Sequence, residues 1–244
     1  MVTLTWDSES DSRAVAAIWN PVRNLRAPRE QYQGKASHSA VTWQGWMGST
    51  PFPSYVLVEA GNKVDASVGK IKRAFREGDY LAGVILTFAW GGMQRQKVHL
   101  IGPPGANEQL KIEAAFRLAA DMIIEDGRIE RAWNHLDMLH WSAVAKSKTL
   151  HFLARALGCE KYPPVPIDNA AILNTLLPEV GRRAINSGIA PPRWRGGSWE
   201  AYSAYMTVII AWAREMHWTT TQVEASIFDL YQEEKLVKPT ASSR

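Results

Sequence analysis

From residue 64 onward the chain repeats one pattern: apolar residues at helical spacing, separated by short breaks of Gly, Pro and Asp. Val64, Val68, Ile71 and Phe75 step along one face of a helix, the 3.6-residue period of an amphipathic segment. Gly78-Asp79 ends that segment, and Asp79 is placed to cap the next, whose apolar face is Leu81, Val84, Ile85 and Phe88. This second helix runs out at Trp90-Gly91-Gly92. Residues 108–124 repeat the period with Ile112, Phe116, Ala119 and Ile123; 129–140 and 149–157 follow, the latter stopped by Gly158 as a C-cap. Asp168 is an N-cap for 169–177. Trp199, Tyr202, Met206, Ile209, Ala213 and Met216 line a long helix, and Thr221-Gln-Val-Glu224 reads as a capping box before the last one. No run alternates with period two. The expected fold class is therefore mainly α, with short connections.

The remaining organisation is coarse. Residues 1–60 form an irregular, Trp-rich segment packed on the core, 61–234 a helical core, and 235–244 a frayed polar tail. A hydrophobic fraction of 46% excludes a disordered chain. The longest uncharged apolar runs, Leu81–Trp90 and Met206–Ala213, fall short of the ~20 residues of a bilayer span. No positive region precedes an apolar stretch at the N-terminus, so no signal peptide is read there and the expected location is the cytoplasm. One cysteine, Cys159, excludes a disulfide scaffold and a cysteine-based zinc cage. His135 and His140 are five positions apart and face different ways on a helix, so no metal is expected. Phosphate-loop, dinucleotide, nucleophile-elbow and H-E-x-x-H motifs are absent from the sequence, and no cofactor is expected. The net charge of +4 is compatible with a nucleic-acid partner without showing one.

The most informative stretch is Trp133 to Gly158, then Pro163-Pro-Val-Pro-Ile-Asp168. It reads as helix, tight turn, helix, Pro-rich connector, and an Asp opening a third helix. Lys148 and Asp168 are separated by 20 positions. This resembles the helix-hairpin-helix DNA glycosylases, whose 8-oxoguanine-type members carry a lysine just after the hairpin and an aspartate about twenty residues later. The bacterial 8-oxoguanine-glycosylase-fold proteins are similar in several further blocks: Phe88-Ala-Trp90-Gly-Gly-Met93, Ala145-Lys-Ser-Lys148-Thr-Leu-His-Phe152, Pro166-Ile-Asp168-Asn-Ala-Ala, and Tyr202 to Tyr205 ahead of Ile227-Phe228. The resemblance spans roughly residues 80–232, with the hairpin at 133–157 and the Asp block at 163–178. One departure stands out. The family's hairpin carries Gly-x-Gly just before the lysine, whereas this turn reads Ser142-Ala-Val-Ala-Lys146-Ser147 without glycine.

The resemblance implies a helix-hairpin-helix glycosylase fold and a monomer that flips and excises a modified base from double-stranded DNA in a bacterial cell. Lys148 and Asp168 are then the catalytic pair. A carboxylate near C1′ stabilises the cation-like sugar, and a lysine attacks C1′ only as the free amine. The expected place of Lys148 is a helix N-terminus, where the dipole and the like charge of Lys146 both disfavour the ammonium. Lys146, Ser147, Arg193, Trp194 and Arg195 are the expected DNA contacts, and Trp90, Trp46 and Trp43 the expected base pocket. The Trp- and Gly-rich stretch 40–55 and the Arg-Trp-Arg loop tilt the substrate toward a bulky hypermodified cytosine of phage DNA, such as a glucosylated hydroxymethylcytosine, in anti-phage defence. The alternatives are an 8-oxoguanine repair glycosylase with lyase activity and a non-enzymatic helical DNA-binding module. Taken singly, Lys148 reads as a solvated lysine, Asp168 as a structural cap, the tryptophans as core and the basic 64–76 face as ordinary surface.

Overall fold

The computed structural model describes residues 4, 6, 64, 66–91, 106–167 and 198–237. Among these, seven α-helices and one 3-10 turn carry the structure, and no strand beyond isolated bridge residues occurs. They are α1 (Val68–Arg76), α2 (Tyr80–Trp90), α3 (Ala106–Asp126), α4 (Ile129–His135), the 3-10 turn Leu136–Leu139, α5 (Ala143–Ala156), α6 (Trp199–Met216) and α7 (Thr220–Val237). The chain divides into two units: residues 1–5 with 33–164, and residues 6–32 with 165–244. The 1–60 segment lies outside the described residues save for Leu4 and Trp6, as do 168–197, Trp43 and Trp46.

The first unit is built around aromatic contacts between helices. Phe75 of α1 stacks on Phe116 of α3 at 6.0 Å, and Trp141 meets both Phe116 (5.6 Å) and Phe88 of α2 (5.2 Å). Such pairs add about 0.5–1.5 kcal/mol each beyond the area they bury. The α1–α2 junction is as the sequence reads it: Asp79 caps α2 by accepting from the Ala82 N–H at 3.3 Å. The two helices approach closely because Gly83 has no side chain; a Cβ there would lie 2.7 Å from the Phe75 ring.

Between α4 and α5 the structure corrects the expected boundaries. α4 ends at His135 and gives way to the 3-10 turn, instead of continuing to residue 140. His140 then takes the left-handed conformation, φ 53°, which a glycine would supply elsewhere and which histidine tolerates better than most residues. Ser142 caps α5 through its Oγ, which accepts from the Ala145 N–H at 3.4 Å. Helix therefore begins at Ala143, six residues before the expected 149, and the turn occupies only 140–142. α5 ends in a tight reversal in which the Gly158 N–H bonds to Arg155 and the Cys159 N–H to Ala154, with Gly158 at φ 91°.

In the second unit α6 packs on α7. The capping box lies two residues before its expected place. The Thr219 Oγ1 accepts from the Gln222 N–H, and the Gln222 Oε1 accepts from the Thr219 N–H, while Glu224 is buried inside α7. α7 runs to Val237, beyond Lys235 where the tail begins in the sequence reading.

Candidate active site

α5 is the unusual element. Thirteen of its fourteen residues are buried, and these include Lys146, Ser147, Lys148, Thr149 and His151. A buried charge or hydrogen-bonding group costs several kcal/mol unless it finds a partner. Each of these five has one: Ser147 and Thr149 bond back to carbonyls of α5 itself, while Lys146, Lys148 and His151 find theirs elsewhere in the unit.

Lys148 is 8% exposed. Its Nζ donates to the Gly91 carbonyl at 3.3 Å and lies 5.9 Å from the centre of the Trp90 ring. Both residues sit at the C-terminus of α2, where unsatisfied carbonyls concentrate partial negative charge. Gly91 permits this approach, since a Cβ would stand 3.0 Å from Nζ and 3.1 Å from Cδ of Lys148. Trp90, half-buried, packs edge-on against Phe152 of α5 at 5.0 Å. Trp90 and Lys148, two of the expected site residues, are thus brought together.

Lys148 is not where the dipole argument needs it. It is the sixth residue of α5, past the first turn in which the helix field acts strongly. Lys146 does not press on it with an uncompensated charge either. Its ammonium is 1% exposed as a residue, donates to Asp137 Oδ1 at 2.5 Å and lies 4.3 Å over the Trp133 ring. Lys146 is withdrawn into the protein. Ser147 is likewise fully buried, with its Oγ donating to the Val144 carbonyl at 3.1 Å. These two expected DNA contacts are interior groups because helix starts at Ala143 and carries both inward.

His151 is fully buried as well. Its Nδ1 is 2.7 Å from the Pro164 carbonyl oxygen, and its Nε2 is 3.3 Å from Arg155 Nη1. A carbonyl only accepts and a guanidinium only donates, so the ring carries its proton on Nδ1 and accepts at Nε2. Burial first, then the Arg155 charge, holds its pKa down to about 3, against the pull of the Pro164 carbonyl. The imidazole is neutral. Glu160 joins the same network, 2.7 Å from Lys72 Nζ and 3.7 Å from Arg155 Nε. With Arg73 bonded to Glu77 at 2.7 Å, two cations of the basic α1 face already have carboxylate partners. Cys159 is buried, and burial followed by the Glu160 charge pushes its thiol up to about 11, so it stays protonated.

Residues 163–167, the connector into Asp168, are buried throughout. Asp168, Arg193, Trp194, Arg195, Trp43 and Trp46 lie outside the described residues. Gly91, Asp137 and His151 are what the sequence reading missed. The first carried a signal, a Gly-Gly pair directly after an apolar helix. Among the described residues no cluster of three or more His, Cys, Asp or Glu side chains is placed to hold a metal, and no helix is long and apolar enough to cross a membrane.

Against known families, one model matches: that described as "Putative 8-oxoguanine DNA glycosylase OGG-like protein", over residues 33–228. The matched span includes α1 to α6, the start of α7, and both Lys148 and Asp168. No curated protein and no solved structure matches the chain.

Proposed function

The chain belongs to the OGG-like 8-oxoguanine DNA glycosylase family, of helix-hairpin-helix fold, and from that membership we propose that it flips a modified base out of duplex DNA and cleaves its glycosidic bond with Lys148 and Asp168. The observation that carries this reading is the burial of Lys148 against the Gly91 carbonyl and the Trp90 ring. A lysine withdrawn from bulk water, held at a helix end beside a half-buried indole, is poorly explained as a solvated surface group. Asp168 supplies the negative charge that stabilises the sugar cation as the bond to the base lengthens.

The chemistry follows from the surroundings of Lys148. The two influences expected to favour its free amine are both weakened, one by its distance from the helix start and the other by the Lys146–Asp137 pair. This favours water as the nucleophile. The C1′–N bond breaks with its electron pair leaving on the base, a water oxygen bonds to C1′, and the water proton passes toward Asp168. The product is an intact abasic site, with Lys148 orienting the nucleotide.

The substrate in this reading is a bulky hypermodified cytosine of phage DNA. Trp43, Trp46 and Trp90 form a base pocket with aromatic faces for an attached sugar, Trp194 stacks, and Arg193 and Arg195 contact phosphates. A second reading is excision of oxidised guanine, the base in the family's description, with strand cleavage following if Lys148 is the nucleophile. One experiment separates them. Duplexes carrying glucosylated hydroxymethylcytosine or 8-oxoguanine are incubated with the wild type and with Asp168→Asn, and released base and strand breaks are quantified. Release from the glucosylated duplex alone, without breaks and lost in the variant, is the expected result. Release of 8-oxoguanine with a borohydride-trapped adduct that Lys148→Ala abolishes establishes the second reading. Undiminished release by Asp168→Asn removes Asp168 from catalysis.

A further inference from the structure

α3 turns Ile112, Ala115, Phe116, Ala119 and Ile123 into the first unit, where all five are buried at helical spacing. Its outer face is unlike a solvated one. Four large apolar side chains are exposed among the described residues, and three belong to this helix: Leu110 at 62%, Leu118 at 48% and Ile124 at 55%. Exposed Ala114 stands between Leu110 and Leu118, so the three continue at steps of four residues. Apolar residues scattered singly over a surface are ordinary, whereas a run of them on one face marks a contact. The charges of this face are ordered as well. Between 109 and 126 the exposed cations, Lys111 and Arg117, precede Leu118, and the exposed acids, Asp121, Glu125 and Asp126, follow it. The remaining charged residue of that span, Glu113, is half-buried. This order opposes the helix dipole, which favours acids early and bases late, and the last turn holds no base. Asp126 is bonded to Arg131 at 2.6 Å, but Asp121 and Glu125 have no ion pair among the described residues.

We propose that this face of α3 is a homodimer interface, in which two copies of the chain pair their α3 helices antiparallel about a two-fold axis at Leu118. Lys111 lies seven residues before Leu118 and Glu125 seven after, two helical turns each way, so the three share one stripe. A two-fold contact sets residue i of one copy against j of the other, and j against i. Leu118 then meets Leu118, and Lys111 of each copy stands opposite Glu125 of the other. The cationic half of one helix lies along the acidic half of the second, which a parallel pairing would not allow. A second copy therefore supplies at once the apolar cover of this face and the cations that Asp121 and Glu125 lack. At 1.5 Å per residue α3 is about 31 Å long, and a single helix pair of that length stays near or below about 1,200 Å² of buried surface, where dimers are transient. The monomer implied by the family resemblance is then the dilute state of the chain. Nothing in this pairing depends on the chemistry at Lys148.

The test is sedimentation velocity of the full chain through the micromolar range, with circular dichroism to confirm that each variant is folded. The wild type is expected to pass from monomer to dimer as concentration rises. Leu118→Glu, which sets two carboxylates on the axis, should raise the dissociation constant about tenfold or more. Lys111→Glu and Glu125→Lys should each weaken the dimer, and the double variant should return to within about threefold of wild type, because the pair is then reversed but intact. Cysteines report the direction. Leu118→Cys should form an intermolecular disulfide on oxidation, while Ile124→Cys, six residues from the axis and so about 18 Å from its copy, should not. Cys159 does not compete, being buried with its thiol held protonated. A wild type that stays monomeric throughout overturns the proposal and leaves the face to an unlike partner. So does a dimer that Leu118→Glu leaves unchanged. Failure of the double variant to recover, or equal cross-linking through Ile124→Cys, overturns the antiparallel pairing.

Discussion

Gly91→Ala isolates the placement of Lys148 from the rest of the fold. The backbone at Gly91, φ −73° and ψ 3°, is open to any residue, so alanine introduces no strain there. The added Cβ would stand 3.0 Å from Lys148 Nζ, 3.1 Å from Cδ and 3.3 Å from the Thr87 carbonyl. Ordinary contacts of this kind begin near 3.5 Å, so the end of the lysine must withdraw by about 0.5 Å. That carries its 3.3 Å bond to the Gly91 carbonyl beyond hydrogen-bonding range. If 1 Å of misplacement costs about a hundredfold, half of it costs about tenfold in single-turnover base release. Stability moves little. Replacing glycine at a permissive position gains about 0.4–1 kcal/mol through the unfolded chain, and the lost hydrogen bond removes about as much. The assay is single-turnover release at saturating DNA, with thermal unfolding and DNA affinity measured on the same preparation. A wild-type rate constant in a folded variant refutes the role given to the position of Lys148. A fall in rate accompanied by a large drop in Tm refutes the claim that the change is confined to the lysine.

Two further outcomes concern α5. Asp137→Ala leaves the Lys146 ammonium, 2% exposed as a side chain, without its carboxylate; because Asp137 is itself 62% exposed and water enters easily, the loss is about 1–3 kcal/mol by urea unfolding, smaller for Asp137→Asn, and a change under about 0.5 kcal/mol contradicts the pairing. His151, held neutral with a pKa of about 3 against an ordinary 6.5, gives stability that is complete above pH 6.5 and is lost as pH falls toward 3, because the unfolded chain takes up the proton first. Between pH 6.5 and 5, before most carboxylates titrate, the wild type should lose about 1.6 kcal/mol and His151→Asn should not; equal slopes refute the assignment of that loss to His151.

Much of this architecture was legible in the sequence: α1 follows its apolar period with one wet face, α6 keeps its apolar spacing, α2, buried from Leu81 to Ala89, is an uncharged apolar run, and Asp79, Gly91 and Gly158 punctuate the chain as their chemistry dictates. The start of α5 was not legible, for a physical reason. Ala143 to Thr149 is buried on every side, so no apolar stripe distinguishes it, and its mixture of alanine, lysine and serine imitates a solvated turn. The same burial reverses the meaning of Lys146. Its partner Asp137 lies nine residues back, across a turn whose left-handed residue is a histidine in place of glycine. Likewise Glu224 looks like half of a capping box by spacing, yet Gln222 takes that part because α7 begins earlier.

The burial of polar groups along α5 also bears on why the hairpin manages without glycine. In a glycine-rich hairpin the missing side chains bring backbone close to a phosphate. Here the turn Ser142 to Ser147 carries no glycine, and Lys146 turns its charge inward to Asp137 and Trp133. Asp137 belongs to the 3-10 turn and Lys146 to α5, so this ion pair ties the two arms of the hairpin across residues 140–142. A pair with one member almost fully buried resists opening more than a solvent-exposed one, because separating it strands a charge in a poorly hydrated site. Further along the same helix, Lys148 reaches the end of α2 and His151 reaches the connector into Asp168. α5 thus fixes three separate stretches of chain through three buried polar groups. Lys146, expected from the sequence as a DNA contact, spends its charge inside the hairpin, on Asp137 and the Trp133 ring.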